Sequence, residues 1–505
     1  MKFDALGRTV EKYYPVTEPK GAANTTFNTA YDTVAPTKET FDVLDRSVKT
    51  VQADSDSTST AYGFGPDRSG VSRFEKTVTD GNGRKRVTYT DAREVTTAVK
   101  ELHDSEPVWS SYAHDPMNQV TAVTDDKNNV TRAGYDGLGR RVSYDSPDAG
   151  RTETRYDLAG NVTSEITANL RAADKAVEYD YEYSRLKAVH YPTFPANDVS
   201  YDYGAPGAVG NAASRVSEVH DAAGTVKRAY GALGEVTKET RTVTAVHEAP
   251  RTYDTSWRYD AFNRVLAMTY PDGETLTYDY DSGGQVKRAT GTKNGTDYTY
   301  VDRIDYDKFG QKVLQQAGNG VRTTYTYDAE DRRLATLKSQ PSGGAVFQDL
   351  GYTYDKTGNI ASLANNAPQG GDIGGPSTQT YGYDDLYRLT SASGTYTDKN
   401  AARNSYTLSL QYDSIHNTTH KTQTHEITGG TPAFPSGGGG NGPIEPVENP
   451  DNGPDAQDRT SYDYTYTYDG SKPHAPGKVG PVSNEYDANG NFISTAVADK
   501  RRQYV

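Results

Sequence analysis

Polar and apolar residues alternate with a period of two over short runs along the chain. The clearest are Thr324-Tyr325-Thr326-Tyr327 and Tyr462 to Tyr468, where tyrosine stands at every second position. A period of two lines one face of a β-strand with rings and leaves the other to threonine and charge. Turn residues punctuate the runs, so the pattern predicts many short antiparallel strands joined by hairpins. Residues 92–106 carry enough Ala, Glu, Lys and Leu to pass for a helix, but their Thr and Val content favours a strand.

The punctuation repeats. Tyr135-Asp136-Gly-Leu-Gly139-Arg140, Tyr156-Asp157-Leu-Ala-Gly160-Asn161 and Tyr259-Asp260-Ala-Phe-Asn263-Arg264 are close copies. Tyr306-Asp307 with Gly310, Tyr354-Asp355 with Gly358 and Tyr486-Asp487 with Gly490 keep the spacing. Tyr280-Asp281, Tyr327-Asp328, Tyr383-Asp384, Tyr412-Asp413 and Tyr468-Asp469 extend the series, and Phe3-Asp4-Ala-Leu-Gly7-Arg8 and Phe41-Asp42 are phenylalanine variants. Tyr230-Gly231 has lost the acid. Copies recur at 21 residues (135 to 156, 259 to 280, 306 to 327) or at 26 to 29. Aspartate opens a turn because its carboxylate accepts from backbone N–H groups just ahead of it. Gly or Asn three residues later supplies positive φ, the layout of a type I turn closed by a left-handed residue. The aromatic residue ends the incoming strand, and an apolar β-former starts the outgoing one. Looser turns such as Tyr270-Pro271-Asp272-Gly273 and Gly318-Asn319-Gly320 separate the copies. Two strands per copy give on the order of 30 strands. Strand twist accumulates, so so long a sheet is expected to spiral. The tyrosines are read as cross-strand packing ladders.

Composition agrees with a wide, half-wet sheet. There are 40 Tyr against 11 Phe and 2 Trp, 48 Gly, and only 34% hydrophobic residues. That is low for a packed core, and a hollow interior accounts for it. The net charge of −14 offers no general attraction to nucleic acid. No apolar run is long enough for a membrane helix. The N-terminal residues lack the apolar stretch of a signal peptide. The absence of Cys excludes disulfides and thiolate metal sites.

These motifs resemble the Rhs/YD-repeat family: bacterial Rhs toxins, cocoon-forming components of insecticidal toxin complexes, and teneurin-like shells. The resemblance runs from Phe3 to about Asn491, in more than ten copies. It implies an all-β, spiralling array of antiparallel hairpins forming a large hollow shell or barrel across residues 1–505. In bacterial members that shell encloses a C-terminal toxin. Such shells usually close with an Asp-Pro-x-Gly-Leu-like segment whose aspartates release the toxin autoproteolytically, and no such segment occurs here. Since both ends fall within repeats, the chain is expected to be a segment of a longer protein, or a filament-like array without cargo.

Three stretches interrupt the array. Residues 51–70 read as an irregular polar loop, 364–378 as a Gly/Pro loop, and 429–458 as a flexible Gly/Pro-rich insertion. The cluster His416, His420, His425 is a conceivable metal site, although His416 stands where the repeat has Gly and is more simply a turn residue. Asp125-Asp126 with Asn128-Asn129 lacks EF-hand spacing. Arg140-Arg141 and Arg332-Arg333 are expected to pair with repeat aspartates. A glycosidase needs only two carboxylates, but turn roles account for nearly every Asp. The leading expectation is therefore a non-enzymatic structural shell of a secreted or cell-surface bacterial protein, without cofactor or catalytic residue. Its partners would be the N- and C-terminal parts of the same polypeptide, toxin cargo included, with secretion machinery or surface glycans as further possibilities, and neither nucleic acid nor a membrane span. The alternative is an adhesion module that binds glycans or protein through tyrosine-lined faces.

Overall fold

The computed structural model describes residues 1–18, 28–245, 247–370, 375–397, 402–429, 460–468, 470–497 and 500–503. Among them, 39 strands form one sheet, and every strand pairs antiparallel with the next in sequence. Val130–Tyr135 pairs with Arg141–Ser146, for example, with Arg132 opposite Asp145. The helical elements described are one turn at Ala168–Ala172 and a 3₁₀ turn at Pro195–Asn197.

A meander of this kind places alternate turns on opposite rims of the ribbon. The Tyr-Asp turns form one rim, here called the corner rim; the intervening turns form the return rim. At most Tyr-Asp corners the register slips by one residue, as between Gly134 and Tyr135 or Asp279 and Tyr280. The slip is the bulge that a type I turn plus a left-handed residue imposes, and it adds to the local twist.

The ribbon winds back on itself. Residues 273 to 326 positions apart meet by hydrogen bond, from Asn82 with Asp355 to Asp148 with His474. Each offset joins an early return turn to a late corner, so the second turn of the spiral rests its corner rim on the return rim of the first. The wall is hollow and mostly one sheet thick. Its accessible surface is 30961 Å², against about 18,000 Å² expected of a compact monomer of this mass. Among the described residues Tyr89 is the one large side chain that is fully buried. It stacks on Trp109 at 5.7 Å, beside Val87 and Ala98.

The interruptions differ from expectation. Residues 51–70 are not an irregular loop: Ser57–Pro66 is a ten-residue strand whose residues from Ser59 to Pro66 pair with Ser72–Thr79. Its Ser and Thr are β-branched or small polar residues on an exposed sheet face, not loop formers. Strands Ile360–Asn365 and Ser377–Tyr383 enter both ends of the 364–378 stretch. Of 429–458 only Gly429, which ends strand Thr418–Gly429, lies within the described residues. Thr96–His103 is a strand.

Candidate functional site, the linked corners and the seam

At Asp136 the backbone N–H donates to the Arg140 carbonyl (2.9 Å), and the Gly139 N–H donates to the Asp136 carbonyl (3.0 Å). One carboxylate oxygen accepts from the N–H groups of Leu138 (2.9 Å) and Arg140 (3.0 Å). The other accepts from Arg140 Nε at 2.7 Å. The same arrangement holds at Asp4, Asp42, Asp260 and Asp384. At Asp157, Asp355 and Asp487 an Asn replaces Arg and its amide donates instead. At Asp307 the equivalent residue is Gln311, and Arg332 of the next corner takes the second oxygen.

Gly7, Gly139, Gly160, Gly310, Gly358, Gly490 and Asn263 all hold positive φ. So does His416 (70°), which is a turn residue and not on a strand face with His420. His420 pairs with Asp463 at 2.6 Å, and His425 contacts Thr460 and Asn404. Asp469 lies outside the described residues.

The Arg140 N–H keeps Asp136 below the usual range, and the Arg264 N–H does so for Asp260. At Asp355 burial pushes the pKa up, but donors from Asn359, Asn82 and Thr357 bring it down to about 2.

The tyrosines do more than pack. The hydroxyls of Tyr135, Tyr156, Tyr259, Tyr306, Tyr327, Tyr354, Tyr383, Tyr412, Tyr468 and Tyr486 each donate to a backbone carbonyl at 2.8 to 3.1 Å. In nine of these ten the acceptor opens the outgoing strand of the preceding corner, as Val120 does for Tyr135; for Tyr486 it is Pro476. Burial pushes the Tyr468 hydroxyl up to about 12.

The corner arginine reaches the opposite way. Arg140 donates to the Asp157 carbonyl (2.9 Å) and lies over the Tyr156 ring (4.7 Å). Arg388 does the same at Asp413 (2.7 Å) and Tyr412 (4.8 Å). Where the corner carries an arginine, as at Arg140 and Arg388, it holds its neighbour by a hydroxyl link worth about 1 kcal/mol and a cation–π contact of about 0.5–1 kcal/mol. Period-two patterning indicated the ring face; the hydroxyl's target depends on the neighbouring corner and is not visible in any one copy. At Tyr156, Tyr327, Tyr354 and Tyr412 both the hydroxyl and a ring face are engaged.

The seam joins return-turn residues of the first turn to corner aspartates and variable corner positions of the second. Asn82 donates to Asp355 (3.0 Å) and Thr357 (2.9 Å). Lys127 meets Asp413 at 2.6 Å, and Arg84 pairs with Asp385. Asn169 donates to Asp487 at 2.6 Å. Tyr14 packs edge-on against Phe309 at 4.9 Å. Tyr387 occupies the left-handed slot (φ 61°), unfavourable for a bulky residue, and its hydroxyl donates to Asp80 across the seam. A cavity of about 340 Å³ lies on the seam, lined by Tyr14, Asp54, Asp56, Glu330, Arg333 and Lys356 among others.

Two carboxylate–imidazole groups that spacing did not indicate come together through sheet pairing: His103, Asp104 and Asp385 at the seam, and Asp202, Glu218 and His220 on neighbouring strands. In the first, Arg84 and the Asp104 N–H already occupy Asp385. Asp125 and Asn129 form another Asp-x-x-x-Asn turn, and Asn128 accepts from Arg68. Arg332 and Arg333 pair with Asp307 and Asp331, whereas Arg141 stacks over Tyr144. No helix among the described residues is long and apolar enough to cross a membrane.

Fold and corners together define a class, a hollow wall wound from one antiparallel ribbon with interlocked aspartate turns. The RHS Repeat family model matches residues 241–275 and 259–297. Toxin subunit YenC2 of Yersinia entomophaga is 37% identical over 155 residues, 29% of this chain and 16% of that protein. The tRNA nuclease WapA of Bacillus subtilis (strain 168) is 31% identical over 110 residues, 20% of this chain and 4% of that protein. In the crystal structure of TcdB2-TccC3, a chain superposes with a TM-score of 0.75 at 19% identity, over 99% of this chain and 27% of that one. The Photorhabdus luminescens Tc holotoxin pore gives 0.72 at 19% identity, over 92% and 24%. The matched repeats and these likenesses support an Rhs/YD-repeat family for the chain. It spans 16% of the YenC2 subunit and about a quarter of the solved chains it resembles.

Proposed function

We propose that this chain is a wall segment of a secreted bacterial toxin protein, and that the wall encloses a toxic polypeptide carried C-terminally by the same protein. The observation that carries this reading is the sealed second turn. Corners from Asp307 to Asp487 sit on the return rim of the first turn through ion pairs, amide hydrogen bonds and aromatic contacts. A single-layer ribbon closed against itself separates an inside from an outside, and it does so without a packed core. The corner carboxylates named above are engaged in turn hydrogen bonds, which supports a structural role over a catalytic one. The likeness to toxin subunits supports the toxin assignment.

Protease protection in the full-length protein tests the proposal. A C-terminal segment enclosed by the wall is expected to resist trypsin for as long as the wall stays folded, and to become sensitive when seam contacts are removed by Asn82→Ala with Tyr387→Gly. Cleavage of that segment at the rate of the isolated peptide, with the wall intact, would contradict enclosure.

A further inference from the structure

His190 spends its two ring nitrogens in opposite directions, Nδ1 on Asp198 (2.9 Å) and Nε2 on Asp180 (3.2 Å). His420 and His474 each give one nitrogen to one aspartate. His220 is different. Its Nε2 faces two carboxylates at once, Asp202 Oδ2 at 3.1 Å and Glu218 Oε1 at 3.6 Å. One ring nitrogen carries at most one proton, so hydrogen bonding cannot satisfy both oxygens.

Sheet register creates this convergence. Strands Val199–Tyr203 and Val216–Asp221 pair with Asp202 directly opposite Glu218, and His220 lies two residues on, on the same face. Like charges directly opposite each other destabilise a strand pair. Lys227 pairs with Glu218 Oε2 (3.2 Å) and leaves Oε1 to the imidazole. Among the described residues no lysine or arginine pairs with Asp202, which meets His220. The three ligand atoms lie within 4.8 Å of one another. At zinc bond lengths, the ligand atoms of a tetrahedral site stand about 3.3–3.5 Å apart, and the two His220 distances straddle that edge. The His103, Asp104 and Asp385 group offers no such opening, because Arg84 and the Asp104 N–H already hold Asp385.

The local fold gives an ion a task here. Gly204 stands where other corners carry Asp. Its N–H closes on the Arg215 carbonyl (3.0 Å) and the Tyr203 hydroxyl reaches the Leu186 carbonyl (2.9 Å), as at a regular corner. Residues 204–215 contain no Asp or Glu, so this turn lacks a carboxylate of its own to cap it.

We propose that Asp202, Glu218 and His220 bind a divalent cation of the zinc type, which staples the two strands beside this uncapped corner. The fourth position is left to water. All three ligands lie on two paired strands joined by one connection, so the site is complete within this chain.

Calorimetric titration of the untagged chain with Zn²⁺, with Co²⁺ as an optical probe, tests this. The wild type should bind Zn²⁺ saturably and give the visible bands of tetrahedral Co²⁺. Zn²⁺ should also raise the thermal midpoint, since only the folded strand pair gathers the ligands. Asp202 and His220 are 66% and 42% exposed, so Asp202→Asn and His220→Gln are not expected to disturb folding, which circular dichroism checks. Each should weaken the site at least about tenfold and remove the Co²⁺ bands and the thermal shift. His103→Gln should keep all three signals. Lys227→Gln should bind no more weakly than wild type, because it removes a competing ammonium. No saturable binding by about 1 mM Zn²⁺, binding unchanged by Asp202→Asn and His220→Gln, loss of the signals in His103→Gln, or weakening in Lys227→Gln would overturn the proposal.

Discussion

The corner at Asp136–Arg140 and the corner at Asp384–Arg388 follow one code and sit in two environments. In both, the carboxylate caps two backbone N–H groups and grips an arginine at 2.7 Å, and that arginine holds the next corner. At Asp136 the pair is about a quarter exposed; at Asp384 the two side chains are 7% and 10% exposed. The left-handed slot holds Gly139 in the first and Tyr387 in the second. Invariant positions thus build the ribbon, and the variable ones decide whether a turn faces water or another turn. The same hairpin serves as wall and as gasket.

That contrast can be broken in several ways. Asp384→Ala should be the most damaging change, because it strands a buried guanidinium, with a cost of about 3 kcal/mol. Asp136→Ala loses caps and an accessible pair, about 1–2 kcal/mol. Equal urea midpoints for the two would erase the distinction between docked and open corners. Ile415→Asp should cost about 2–3 kcal/mol by placing an unpaired carboxylate in a covered site, whereas Leu138→Asp should stay within about 0.5 kcal/mol of wild type; thermal melting of the pair decides. Tyr412→Phe and Tyr135→Phe should each cost about 1 kcal/mol, because the hydroxyl link runs along both docked and open corners. A null effect at Tyr135 alone would confine the link to the seam.

The smallest effect concerns pH. Asp355 has a folded pKa of about 2, below its ordinary 3.8. Its contribution is therefore complete above about pH 4 and is lost as pH falls toward 2. Asp355→Asn should flatten that part of an acid-unfolding curve. An unchanged curve would mean that the Asn82 and Asn359 donors do not stabilise the carboxylate.

Much of this was legible in the sequence, because the repeat is a local code. Asp, then Gly or Asn three residues on, then Arg or Asn specifies a turn that needs no distant partner, and the residues from Asp4 to Gly490 show it. The tyrosine link was half legible: the ring face follows from period two, but the hydroxyl's acceptor lies 15 to 23 residues back in eight of the ten cases, at a distance set by repeat length. The seam was not legible. Nothing local to Asn82 or Tyr387 says that they meet across 305 residues, since that depends on how much twist each bulge adds over a whole turn. Polar composition misled at residues 51–70, where Ser and Thr belong to a strand with one wet face. The covering of Ile415 and Leu386 likewise depends on the winding.

The central claim is that corners of the second turn rest on the return rim of the first. The chain has no cysteine, so a pair introduced as Asn82→Cys and Thr357→Cys reports on the seam alone. Oxidation, or a short bis-maleimide, should close an intramolecular bridge in the monomer, visible as a mobility shift that reduction reverses for the disulfide. The single variants and an open-rim pair, Leu138→Cys with Thr357→Cys, should show no such bridge. If the seam pair stays unlinked in folded protein while the open-rim pair links, the winding described here is wrong.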